Sequence, residues 1–180
     1  MNRDQALQLV TDWVKNQNLV NHMLCVEAAM RLYAQKYNED VEVWGIAGLL
    51  HDGDWEKYPQ EHPQQIIKRL KELGADERII HAINAHGGKD VIVPETIMDK
   101  ALFACDELCG FVVAVARMRP DKLNGMEASS VKRKLKDKAF AANVRREDIY
   151  HGAELLGVDL DQHIQAIIEA IQPLSAKLFV

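Results

Sequence analysis

Helical periodicity runs through this chain from end to end, and no two alternating runs exist that could pair into a sheet. From Asp4 to Asn16, Leu7, Val10, Trp13 and Val14 fall on one stripe. Asn18 is expected to cap a helix reaching Tyr37, in which Leu19, Met23, Val26, Met30 and Tyr33 recur every three or four residues. Asp40 should begin a third helix, Val41 to Leu50, which is apolar nearly all round and therefore central. Pro63 is placed to open a fourth, ending near Gly74, and Asp76 to cap a fifth through Ile79, Ile80 and Ile83, stopping at Gly87-Gly88. Lys89 to Val93 reads as extended, with no second run to pair with it. Pro94 is expected to open a long helix to about Met118, carrying Ile97, Ala101, Ala104, Leu108 and Val112. Arg119-Pro120 and Asn124-Gly125 mark a break, and two or three helices follow, the last from about Asp159 to Lys177. The expected fold is all-α: a single domain over 1–180, with a core over 18–117 and a helical C-terminal extension over 118–180.

At 180 residues such a domain can bury a substantial core. The residues after Met1 show no secretory apolar region, and no apolar stretch is long enough to span a bilayer, so no membrane partner is expected. Cys25, Cys105 and Cys109 form neither a disulfide framework nor a CxxC pair, which points to core thiols in a reducing cytoplasm. The net charge of −5 argues against general nucleic-acid binding. Arg117 to Arg146 nevertheless holds ten basic residues against three acidic ones. That segment is either a solvated lysine-rich face or a field that draws in an anionic substrate, with Lys132, Arg133 and Arg145 as the candidate contacts.

The chemistry-bearing residues cluster around His51-Asp52, at the end of the apolar third helix. His22 lies upstream near the start of the second helix; His62, His86 and Asp106 lie downstream. Imidazoles and carboxylates together suit first-row divalent metals. Asp106 sits mid-helix beside Cys105 and Leu108, where an unpaired carboxylate is costly to bury and a metal would resolve the cost. Each histidine alone has an ordinary explanation as a hydrogen-bonded core or surface side chain, and their combination on helices of one core is what points to a metal. His81 lies about 140° round the helix from His86 and cannot share its face. It is left, with His151 and His163, as structural or surface.

The order His22, His51-Asp52, Asp106 on helices resembles the H…HD…D signature of the HD-domain superfamily of metal-dependent phosphohydrolases, over roughly Asn18 to Arg117. The resemblance implies that His22, His51, Asp52 and Asp106 hold one metal. Relatives with two metals add two histidines between the HD pair and the last aspartate, with the HD aspartate bridging. His62 and His86 occupy those places, which implies two divalent ions drawn from iron, manganese, zinc, nickel or cobalt, with magnesium as a further option. Many relatives read HD-apolar-Gly-Lys, with the lysine near the substrate; here Asp54 replaces the glycine and the nearest lysine is Lys57. Lys57 is either a phosphate contact or an exposed loop residue. Asp54 and Glu56 are candidates to orient a ligand or supply a proton, or are simply loop carboxylates.

The expected activity is metal-dependent hydrolysis of a small phosphate ester, such as a nucleotide, by water that the metals activate. Asp52, Asp54 and Lys57 are the expected catalytic residues. Two alternatives remain open at this point: a di-iron oxygenase built on the same six ligands, and a non-catalytic ligand-binding module. The apolar tail Leu178-Phe179-Val180 is expected to dock on the body or on a partner, a second copy of the chain included.

Overall fold

The computed structural model describes residues 1–87 and 92–179, and every regular element among them is helical. The order is α1 (Arg3–Trp13), α2 (Gln17–Tyr37), α3 (Val41–Leu50), α4 (Gln64–Glu72), α5 (Glu77–His86), α6 (Ile97–Arg117), α7 (Ala128–Leu135), α8 (Arg146–Leu156), α9 (Leu160–Ile171) and a short α10 (Ser175–Leu178) after a 3-10 turn. Helix starts follow from side chains that satisfy otherwise free N–H groups. Asn2 and Gln5 make a reciprocal capping pair on α1, and Asp40 accepts from Glu42 and Val43 at the head of α3.

Three starts differ from expectation. Asn16, not Asn18, caps α2, because its side chain accepts from the Asn18 N–H and draws Asn18 into the first turn. The long helix α6 begins at Ile97 rather than at Pro94, because Thr96 and Asp99 form a capping box downstream of the proline. Pro63 is the residue before α4 rather than its first. Of the expected extended run, 89–91 lie outside the described residues, as does Gly88; Ile92 and Val93 carry no regular structure.

The centre of the molecule is α3 against α2. All of α3 from Trp44 to Leu50 is buried. Gly48 makes that contact close: a Cβ there would lie 2.8 Å from the Val26 carbonyl oxygen and 2.9 Å from the Glu27 Cα. Only glycine lets the two backbones touch, and this brings the end of α3 beside His22 of α2. Gly152 does the same for α8 on α6, where a Cβ would stand 2.7 Å from the Ala104 Cα. Val131, Leu135, Ile149, Ile164, Ile167 and Ile171 of α7–α9 join Met23, Met30, Leu50, Leu102 and Phe111 in one continuous apolar cluster.

His163 of α9 sits fully buried in that cluster. Its Nε2 donates to the Ala104 carbonyl at 3.0 Å and its Nδ1 accepts from the Tyr33 hydroxyl at 2.5 Å. Burial lowers its pKa to about 4. The imidazole is therefore a neutral structural strut. Of the tail, Leu178 is buried and Phe179 packs on the core, while Val180 lies outside the described residues. No helix among the described residues is long and apolar enough to cross a membrane.

Candidate metal centre

Three helices and the segment between α3 and α4 carry six side chains to one point. His22 reaches in from the first turns of α2. His51 and Asp52 follow the end of α3, His62 precedes α4, His86 ends α5 and Asp106 lies mid-way along α6. The His22 Nε2 lies 2.9 Å from Asp106 Oδ1 and 3.2 Å from His51 Nε2. The His51 Nε2 stands 3.4 Å from Asp106 Oδ1 and 3.5 Å from Asp52 Oδ2. The second oxygen of Asp52 faces the other way: Oδ1 is 3.5 Å from His62 Nε2 and 3.8 Å from His86 Nε2. One carboxylate thus stands between two pairs of imidazoles.

The imidazoles are oriented from behind. The His51 Nδ1 donates to the Gly48 carbonyl at 2.8 Å, and the His86 Nδ1 to the Ile83 carbonyl at 2.5 Å. A peptide carbonyl can only accept, so each Nδ1 carries the hydrogen and each Nε2 keeps its lone pair toward the centre. His62 is held by Asp54, which is fully buried: Oδ1 accepts from His62 Nδ1 at 2.6 Å and Oδ2 from the Ile66 N–H at 2.9 Å. Lone pairs of nitrogen and carboxylate oxygen therefore face one another, an arrangement that requires a cation among them.

The electrostatics state the same demand. Burial alone would lower His51, but the Asp52 and Asp106 carboxylates overcome it and hold its pKa at about 9. Burial would raise both aspartates, yet the facing imidazoles, His51 foremost, bring Asp52 down to about 2 and Asp106 well below the usual carboxylate range. Either a proton or a divalent ion can meet that demand. The donor set of imidazole nitrogens and carboxylate oxygens fits a first-row divalent metal, and His22-His51-Asp106 and His51-Asp52-His86 each bring three ligand atoms close enough to share one.

The HD domain family matches residues 19–110 of the chain, a stretch that contains all six of these side chains. The chain belongs to the HD domain family. Its similarity to an uncharacterized protein of Methanocaldococcus jannaschii is 31% identity over 103 residues, covering 54% of this chain and 60% of the relative. The chain thus spans less than two thirds of that relative's length. No solved structure matches. Membership of the HD family places the chain in a superfamily of metal-dependent phosphohydrolases whose domains bind divalent metals.

Above the HD centre opens a cleft of about 610 Å³, walled by Trp55, Gln60, Glu107, Asn143 and Arg145. Of the candidate anion contacts, Arg145 alone lies in this wall. There Glu107 lies 3.5 Å away and Asp148 2.7 Å away. Burial, together with the neighbouring Asp106, raises the Glu107 carboxyl. Lys57 is placed elsewhere: its ammonium lies over the Trp13 and Tyr58 rings, at 5.5 and 5.2 Å, where cation–π attraction holds it. Lys132 pairs with Asp161 at 2.7 Å on α7, and Arg133 is exposed on the same helix, so neither joins the cleft wall. Asp54 is sealed behind His62 and faces no open space, which makes it an orienting residue rather than a proton donor to substrate. Glu56 accepts the N–H groups of Lys15 and Asn16, tying the turn after α3 to the α1–α2 junction.

Sequence reading missed Asn143, Glu107 and Arg146. The segment 136–145 has no helical period, yet it is ordered by one guanidinium. Arg146 donates to the carbonyls of Leu135, Asp137, Phe140, Ala141 and Val144 and lies 5.3 Å from the Phe111 ring centroid. Ala141 takes a left-handed φ of 45°, which costs a non-glycine residue about 1–2 kcal/mol. Five carbonyls on one cation offset that cost and present Asn143 and Arg145 to the cleft. No local sequence signal distinguishes Arg146 from its basic neighbours.

Proposed function

We propose that this HD domain binds two divalent transition-metal ions and hydrolyses a small phosphate ester. The observation that carries the reading is Asp52, whose two oxygens address two different histidine pairs. In that arrangement His22, His51 and Asp106 would hold one ion, His62 and His86 the other, and Asp52 would be shared. Iron, manganese, zinc, nickel and cobalt all suit these donors, whereas magnesium favours oxygen-rich sites. Bound there, the metals would polarise phosphoryl oxygens and activate a water for in-line attack.

The remaining work falls to the chain's own side chains. Arg145, held at the cleft wall by Glu107 and Asp148, is positioned to donate a charge-assisted hydrogen bond to a nonbridging phosphate oxygen. Asp54 keeps the His62 ring in the ligating orientation through its Nδ1 hydrogen. The indole of Trp55, 5.1 Å from the His62 ring centroid, covers the outer side of the site and limits access of bulk water. The substrate is therefore small and anionic, and the protein discriminates it at the wall rather than at the ligands.

Elemental analysis of protein loaded with each metal in turn, followed by a panel of phosphate monoesters and diesters, tests the reading. About two metal equivalents and metal-dependent phosphate release are expected, and Asp52→Ala should lose both. Full hydrolysis by Asp52→Ala would sink the assignment. Dioxygen uptake on adding a polyol or phosphonate, without phosphate release, would move the site to the oxygenases. Tight binding of phosphate esters with no turnover under any metal would make it a ligand-binding module.

A further inference from the structure

Beside the metal cleft, and sharing His22, Trp55, Pro59 and Gly110 with it, lies a second lobe of about 640 Å³ between α2 and α6. Its polar lining is dominated by the carboxamides of Asn16, Asn18 and Asn21 and by the Arg117 guanidinium. The Asn16 Oδ1 accepts the Asn18 N–H at 3.0 Å, and the Asn18 Oδ1 accepts the Arg117 guanidinium at 2.8 Å. A peptide N–H and a guanidinium can only donate, so in both asparagines the oxygen is committed and the NH2 is left over. The Asn21 Oδ1 accepts from Gln17 at 2.9 Å; Asn21 is 8% exposed, and its NH2 donates to none of the described residues.

The lobe therefore offers hydrogen-bond donors in excess of acceptors. Among the described residues Glu56 is the one carboxylate in its lining, and its Oε2 is already held by two backbone N–H groups, from Lys15 at 3.0 Å and Asn16 at 2.8 Å. The rest of the wall is apolar: Leu19, Val113, Ala114 and the tail residue Leu178. An array of N–H donors and one guanidinium in an apolar setting matches an oxyanion far better than a neutral ring.

We propose that this lobe binds a second oxyanion on the substrate, so that the substrate class is a phosphate ester carrying a further carboxylate or phosphate. The proposal rests on the phosphohydrolase reading for the role of the first anion, and the spacing supports it. Asn18 lies one turn before His22 on the same face of α2, about 6 Å along the axis. A second anion held by Asn18, Asn21 and Arg117 then sits a few bonds from a phosphate at the metal centre. Arg117 is the specificity-determining residue of the lobe, and Asn18 positions it.

Three phosphonates that cannot be hydrolysed separate the possibilities: propylphosphonate, 3-phosphonopropionate and propane-1,3-bisphosphonate, titrated calorimetrically into metal-loaded protein. One or both of the doubly anionic compounds should bind at least about tenfold tighter than propylphosphonate, the gain of a charge-assisted hydrogen-bonded contact. The tighter of the two identifies the second group as carboxylate or phosphate. Arg117→Gln should bring that ratio to about one, and Arg117→Lys should restore part of it. Equal affinity for all three in the wild type, or an undiminished ratio in Arg117→Gln, would overturn the proposal. Because binding requires no turnover, the two readings fail separately. The expected ratio with no ester hydrolysed under any metal would retire the hydrolase reading and leave the oxyanion lobe standing.

Discussion

On the floor of the cleft, His51 and His86 are each oriented by a carbonyl three residues earlier in their own chain segment, Gly48 and Ile83. On its rim, Asn143 and Arg145 sit in a segment without a regular element, gathered around the guanidinium of Arg146. The floor is locally determined and repeated: several rings, each with its own anchor. The rim depends on one side chain that makes many bonds. A change at one floor anchor should disturb one ligand, whereas a change at Arg146 should disturb every contact the rim makes.

The largest effect should come from Asp52, where the two halves of the floor meet. Asp52→Ala is expected to reduce metal content and phosphate release to background, measured by elemental analysis and phosphate assay. Comparable metal content in the variant would mean that the halves of the floor are independent.

The next effect separates ligand histidines from packing histidines. His163 has a folded pKa of about 4, below its unfolded value near 6.5, so the unfolded chain binds the extra proton between those values. The contribution of its neutral form is complete above about pH 6.5 and is lost as the pH falls toward 4, on the order of 3 kcal/mol. His163→Gln can still accept from Tyr33 and donate to Ala104 but cannot titrate. Denaturant unfolding across that window should show a flatter pH dependence in the variant, with metal content unchanged. Parallel curves for the two proteins would assign the acid loss elsewhere.

Asp54 tests a single anchor of the floor. Asp54→Ala should weaken metal binding by roughly tenfold to a hundredfold, the usual cost of losing a partner behind a ligating histidine. Asp54→Asn should fall between that variant and the wild type: its oxygen can accept from His62, but its NH2 then faces the Ile66 N–H. An unaltered metal titration in Asp54→Ala would show that His62 needs no support.

Arg146→Lys addresses the rim and should have the smallest effect. A lysine cannot reach five carbonyls at once, so Asn143 and Arg145 lose their placement. The KM for the best ester is expected to rise about fivefold, equivalent to about 1 kcal/mol, with metal content maintained. The same change made in an Arg145→Ala background should add little, because its effect passes through Arg145. An additive double variant would make Arg146 a packing residue only.

The contrast also explains what could be read without the fold. The positions of α3 and α5 follow from Asp40 and Asp76 ahead of apolar periodic runs, because caps and periodicity act within a few residues. Where two local signals competed, the residue whose side chain accepts an N–H of the first turn won: Thr96 with Asp99 over Pro94, and Asn16 over Asn18. The order of histidines and aspartates that marks the HD family is likewise written along the chain, since each ligand sits at a helix position that the pattern already defines.

Cations are different. Lys57, Lys132, Arg133 and Arg145 are indistinguishable as sequence, yet one faces the cleft and three are held elsewhere by Trp13, Tyr58 and Asp161 or left on an exposed face. Long flexible side chains take their direction from whatever aromatic ring, carboxylate or carbonyl the packing brings near, and sequence spacing does not encode those neighbours. The amino-acid sequence by itself determined the helical class, the caps of α3 and α5 and the family of the centre, because those depend on interactions within a turn or two. Only the tertiary structure decided that the oxygens of Asp52 look both ways, that Arg145 stands beside Glu107 at the cleft, and that Asn18 meets Arg117, because each requires segments distant in the chain to meet.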